Sequence, residues 1–200
     1  MKNRMMTIPL AIAVLMTLTG CGGAVKYPSY YTLHVPPPPD PPLAEGVHAS
    51  LAVHEFREPS YLRRGIVYKT SPEQIGFYNY DRWAVDPREF VTNAIEDRLS
   101  ASGKFARVTL YDGHSDIDFV LSGNLEKLDE IDYDGGVKVE VAISAQMVRL
   151  STGETVWTSS VSEFGTVTKR DVPAVVAEMN RTMDRAIQKL LTPAPAPATK

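Results

Sequence analysis

The chain is poor in cysteine, with a single thiol, Cys21, among 200 residues. That excludes an intramolecular disulfide and any site built on two or more cysteines. Positive charge is also scarce: 21 Lys and Arg stand against 24 Asp and Glu, for a net charge of −3, and no basic run occurs. Nucleic-acid binding needs clustered cations to displace counterions from phosphate, so that class of partner drops out. The apolar run Ile8 to Leu18, interrupted by Pro9 and Thr17, is too short to span a bilayer. The four histidines, His34, His48, His54 and His114, fall in different predicted elements without the i, i+4 spacing of a helical zinc pair, so no metal is expected.

What is present begins with that cysteine. Lys2 and Arg4, the apolar run, and then Leu18-Thr19-Gly20-Cys21 have the arrangement of a bacterial lipoprotein signal. Residues 1–20 are therefore expected to be a leader, cut before Cys21, whose thiol accepts a diacylglyceryl group. Several acyl chains on one residue give stable anchoring. Gly22 follows where aspartate would signal inner-membrane retention, so the expected address is the outer membrane, with the domain facing the periplasm. Losing Lys2 and Arg4 takes the charge from −3 to −5. No thiol is left for catalysis, and no cofactor is expected beyond the lipid on Cys21.

Residues 21–46 read as the lipidated N-terminus, a short strand over Tyr30 to Val35, and a stiff spacer from Pro36 to Pro42. Residues 47–192 read as one α+β domain. Val47 to Phe56 alternates as a half-buried strand, and Gly65–Lys69 and Ile75–Tyr80 flank the turn residues 70–74 as a hairpin. Asp86 as N-cap, Pro87 in the first turn and Glu89 three residues after the cap begin a helix, with Val91, Ile95 and Leu99 on its apolar face and Gly103 as its end. Strands follow over 105–110, 117–131, 137–150 and 155–164, the last three as an antiparallel meander. Asp171 caps a second helix whose Val176, Met179, Met183, Ile187 and Leu190 share one face. The expected fold is a mainly antiparallel sheet with two helices on one face. The Ala/Pro tail over 193–200 has nothing evident to bury and reads as disordered.

Candidate sites are thin. Glu130 to Gly135 resembles the start of a calcium loop, but Val141 stands where the closing glutamate is needed, so a hairpin turn explains it. Asp116 and Asp118 read as surface carboxylates, not an acid/base pair. There is no Gly-rich phosphate cradle and no nucleophile elbow. An enzyme is not expected.

The segment Tyr78-Asn79-Tyr80-Asp81-Arg82-Trp83-Ala84, preceded by Tyr61 to Tyr68 and followed by a capped helix, resembles the ABC-type transport auxiliary lipoproteins, which include lipoprotein components of paraquat-inducible and other MCE-type systems. Tyr30-Tyr31-Thr32-Leu33, the strand Asp118 to Leu125, and Gly153 to Trp157 extend the likeness over nearly the whole mature domain. Ala84-Val85-Asp86-Pro87 departs from the family's usual Ala-Glu-Pro-Pro. The resemblance implies a fold similar to the N-terminal domain of TolB. It also implies a non-catalytic accessory that works with an MCE-domain protein and an ATPase to move lipid or another apolar molecule, and that acts as a homo-oligomer. Arg82 and Trp83 are its candidate partner-binding residues, with packing at the helix start as the alternative for Trp83. A lipoprotein activator of a peptidoglycan synthase, of the penicillin-binding-protein activator type, is the second reading.

Overall fold

The computed structural model describes residues 26–36, 48–113, 116–133 and 135–197. The leader over 1–20, Cys21, the prolines of 37–42 and His114 lie outside the described residues.

Nine strands and two helices follow the order β1 (Ser29–Tyr31), β2 (Ser50–Val53), β3 (Val67–Lys69), β4 (Ile75–Phe77), β5 (Asp81–Trp83), α1 (Pro87–Ala101), β6 (Arg107–Leu110), β7 (Phe119–Ile131), β8 (Lys138–Arg149), β9 (Glu154–Thr166) and α2 (Val172–Leu190). The expected meander is there: β8 pairs antiparallel with β7 along one edge and with β9 on its other side. The opposite edge of β7 is shared. β2 runs parallel to it at Leu51–Val53 against Phe119–Leu121, and β3 runs parallel at Val67–Lys69 against Asp129–Ile131. Between them the chain stays in register, with Arg57 N–H donating to the Gly123 carbonyl (3.0 Å) and Leu125 N–H to the Arg57 carbonyl (2.8 Å). β6 lies parallel beyond β2, and β4 closes the expected hairpin on β3.

Both helices cover one face of this sheet. Val91, Ile95 and Leu99 of α1, and Val176, Met179, Met183 and Ile187 of α2, are buried against Leu121, Leu125, Val141, Ile143 and Met147. Each fully buried aliphatic chain contributes about 1.5–3 kcal/mol. Arg98 of α1 pairs with Asp184 of α2, tying the helices side by side. The β7–β8 ladder shifts register between Leu125 and Lys127, so beyond that bulge Leu128 and Glu130 turn to the helix side while Lys127 and Asp129 turn away.

Three local expectations change. β2 is buried along its whole length, Ser50 and Ala52 included, because it is sandwiched between β6 and β7 instead of lining an open face. Asp86 occupies the N-cap of α1 without a side-chain cap bond; its carboxylate turns to Arg88 Nε at 3.2 Å. Asp171, in contrast, caps α2 as expected by accepting from Ala174 N–H at 2.9 Å. The tail is not free over 193–197: Trp157 Nε1–H donates to the Pro193 carbonyl and Lys104 Nζ to the Ala194 carbonyl, each at 3.2 Å, and Pro195 is buried. Proline-rich sequence hides such docking because its carbonyls still accept hydrogen bonds.

Gly123 marks a close approach of two strands and a core side chain. A Cβ there would collide with the Phe56 ring and with the Ser144 carbonyl oxygen of the neighbouring strand. Gly123→Ala is therefore expected to destabilise the domain by about 1–3 kcal/mol through overpacking. Chemical denaturation checks this, and an unchanged midpoint would remove the close approach.

Candidate functional site

The expected site residues Arg82 and Trp83 sit in a two-stranded ribbon apart from the main sheet. β1 runs parallel to β5, with Ser29 opposite Asp81, Tyr30 opposite Arg82 and Tyr31 opposite Trp83. Alternation sends the two last pairs to opposite faces. Tyr31 and Trp83 turn inward and pack against the core, whereas Tyr30 and Arg82 are exposed. The ribbon is pinned at three points: Ser29 N–H donates to the Tyr80 carbonyl (2.6 Å), Ala84 N–H to the Tyr31 carbonyl (2.8 Å), and Tyr31 O–H to Asp81 Oδ1 (3.0 Å). Farther on, His34 N–H donates to Asn180 Oδ1 of α2 at 2.9 Å, so the N-terminal segment straps across the helical layer. Leu33, Val35 and Pro36 line an open groove of about 380 Å³ with Val85, Phe90 and Ala94.

Beside the ribbon, where the chain enters α1, lies an acidic pair that sequence spacing did not reveal. The Glu58 side chain is 1 % exposed, its nearest cation is Arg63 at 3.8 Å, and neither of its oxygens has a hydrogen-bond partner among the described residues. Burial, and then the adjacent Asp86 carboxyl, push Glu58 up to about 8. The Trp83 indole N–H and Asp86 Oδ1 are also buried without a partner there.

More buried acid lies on β7 and β8. Asp129 is ion-paired to Lys69 at 2.7 Å, and Glu140, directly opposite it on β8, is held by Lys127 at 2.8 Å and by Ser162 O–H at 3.1 Å. Glu130 is buried on the other side of β7 and accepts from Tyr78 O–H at 2.6 Å. It belongs to β7, in line with the strand read over 117–131. Asp118 accepts from both the backbone and the hydroxyl of Ser50 at 2.8 Å, which holds its carboxyl below the usual range. Asp116 pairs with Arg107 at the surface, so the two aspartates have separate structural partners. Among the described residues no group of three or more His, Asp or Glu could hold a metal ion, and no helix is long and apolar enough to cross a membrane.

The sheet face away from the helices carries an open trough of about 760 Å³. Its floor is hydroxyl and amide: Ser122, Asn124, Ser144, Gln146, Thr158 and Ser160, with Arg57 at its rim. Asn124 donates to Ser144 Oγ (3.3 Å), which in turn donates to Glu126 (2.6 Å). β9 forms the border of this face and, among the described strands, pairs only with β8.

Two expectations follow. Trp83→Ala removes a packed side chain and is expected to cost roughly 3 kcal/mol, whereas Arg82→Ala, at an exposed position, should stay within about 0.5 kcal/mol of the parent; paired thermal melts decide it. Glu58 supplies the second. The folded chain holds its proton up to about pH 8, while an unfolded glutamate releases it near the ordinary 4.5, so folded stability falls as pH rises between those values. Glu58→Gln should therefore melt higher than the parent at pH 8.5 and level with it at pH 5, and parallel melting curves against pH would contradict the assignment.

Comparison with known proteins completes the site. Protein XCC0632 from Xanthomonas campestris superposes with a TM-score of 0.69 at 16% identity, over 82% of this chain and 92% of that one. A second solved structure, of an uncharacterized protein, gives 0.64 at 18% identity over 84% and 98%. Both are similar in fold. No curated protein matches the sequence at a significant level. The model of one family matches residues 31–190, from the inward tyrosine of the ribbon to the last turn of α2. That span takes in nearly all the elements described above, and this chain belongs to the ABC-type transport auxiliary lipoprotein component family.

Proposed function

We propose that this protein is a non-catalytic, outer-membrane-anchored auxiliary subunit of an MCE-type ABC transport system, held by lipid on Cys21 and projecting its domain into the periplasm toward an MCE-domain partner. The observation that carries the reading is the family match across residues 31–190, joined to a lipoprotein signal that ends at Cys21.

The trough on the open sheet face supports a docking role over a carrying one. A site for an apolar cargo chain is lined mainly by apolar side chains with a few polar groups, and the 760 Å³ trough has the opposite lining. An open, hydroxyl-rich sheet face bordered by an unpaired strand suits contact with another protein. Backbone groups along β9 offer a template for an added strand, and the stretch Thr158 to Ser162 carries neither the charges nor the proline that block such pairing.

A photo-crosslinking residue at Ser160 in the full lipidated chain, activated in cells, tests this. Capture of an MCE-domain subunit is expected. Capture of a peptidoglycan synthase in its place would overturn the transport reading in favour of the activator class.

A further inference from the structure

Three of the five exposed large aromatic side chains among the described residues, which also include Tyr133 and Phe164, lie together near the N-terminus, and the sequence position of the lipid makes their placement informative. Tyr27 is 78% exposed, Tyr30 61% and Tyr80 42%. All three lie at the start of the β1–β5 ribbon, where Ser29 is bonded to Tyr80 and the Lys26 ammonium sits 4.5 Å over the Tyr80 ring. Arg82 stands beside Tyr30 on the same outward face, and the Asp81 carboxyl between Tyr80 and Arg82 is engaged by Tyr31 O–H. Arg64 adjoins this surface: its guanidinium lies 5.6 Å over the Phe77 ring, and the next residue, Gly65, approaches the Asp81 carbonyl. In a chain of net negative charge this is a cationic, tyrosine-rich surface.

Tyr27 lies six positions beyond Cys21, a reach of at most about 20 Å when fully extended. A lipid on Cys21 therefore holds Tyr27 within about 20 Å of the lipidated residue, with Tyr30 and Tyr80 beside it in the ribbon. Tyrosine partitions to the membrane–water boundary, where its ring meets the acyl margin and its hydroxyl stays wet. Lys and Arg beside it meet anionic phosphate.

We infer that the outer face of the β1–β5 ribbon, formed by Tyr27, Tyr30 and Tyr80 with Lys26 and Arg82, lies on the anionic phospholipid headgroups of the leaflet that holds the lipid anchor. This rests on lipid attachment at Cys21. It sets the orientation of the domain: the ribbon faces the bilayer, and the sheet face on the far side of the helical layer faces away from it. Arg82 thereby acquires a lipid partner, and the protein partner is left to the opposite side.

Acylation consumes the only native thiol, so one introduced cysteine gives a unique labelling site in the full lipidated chain. Tyr30→Cys and Ser160→Cys are labelled with an environment-sensitive fluorophore and reconstituted into vesicles of phosphatidylethanolamine and phosphatidylglycerol containing headgroup-proximal spin-labelled lipid. Quenching is expected to be severalfold stronger at position 30 than at position 160. It should weaken when phosphatidylcholine replaces phosphatidylglycerol, when salt is raised, and in the Lys26→Glu, Arg82→Glu background. Flotation with the vesicles together with equal quenching at the two positions overturns the inference while leaving lipid attachment intact. A chain that does not float, and takes up no labelled palmitate in cells, overturns the attachment on which it rests. Strong quenching at position 30 that ignores both salt and lipid charge overturns the anionic-headgroup assignment, and crosslinking of position 30 to a protein in cells makes the ribbon a protein interface instead.

Discussion

Everything in this domain is hung on β7, which pairs with three other strands, β8 along one edge and β2 and β3 along the other. One edge takes β8 over the strand's full length, and the other takes β2, the crossing segment at Arg57, and β3 in turn. A ladder used twice admits no slip, because a shift by one residue would reverse every side chain and break two partners at once. Gly123 sits at the middle of this arrangement and lets Phe56 and the β8 backbone close on it. The register shift just beyond it explains how one strand serves two environments, with Leu121 and Leu125 in the helix-covered core and Asp129 in a buried ionic cluster on the opposite side.

That cluster belongs to the sheet's construction. Two acids face each other across β7 and β8, an arrangement that would repel in isolation. Lys69 answers Asp129 and Lys127 answers Glu140, so each buried charge has a counter-charge at salt-bridge distance. Removing either lysine would leave a buried carboxylate uncompensated, whereas removing a matched pair would not. The Glu58 and Asp86 pair is built differently, with like groups brought together where the chain enters α1.

Much of this was legible in the sequence. The period-two runs over 117–131 and 137–150, the Asp171 cap and the three-and-four spacing of α2 each carry a local signal strong enough to specify the element. The β3–β4 hairpin was readable from its turn residues. What was not legible depends on partners distant in sequence. The alternation of Val47 to Phe56 is real, but only the placing of β6 against β2 buries both faces of it. Asp86 has the residue type of a cap, yet a neighbouring arginine and Glu58 compete for its carboxylate, and neither is visible from spacing along α1. Tyr30 to Val35 reads as a strand, but only Ser29–Tyr31 forms one, and its pairing with Asp81–Trp83 is parallel and non-local and sends Arg82 and Trp83 to opposite faces. The Ala/Pro tail shows no periodicity, so its contacts with Trp157 and Lys104 leave no trace in the sequence.

The strap from Ser29 to His34 has a mechanical consequence. When the chain is pulled at its N-terminus and the domain is held elsewhere, tension enters along the axis of β1. The bonds joining β1 to β5 lie across that axis, so they are strained together in shear and do not open one after another as in a zipper. Behind them the His34 to Asn180 bond passes the pull directly into α2, whose face is seated on the longest strands of the sheet. A segment attached this way resists peeling from the domain when the chain is pulled from its N-terminus.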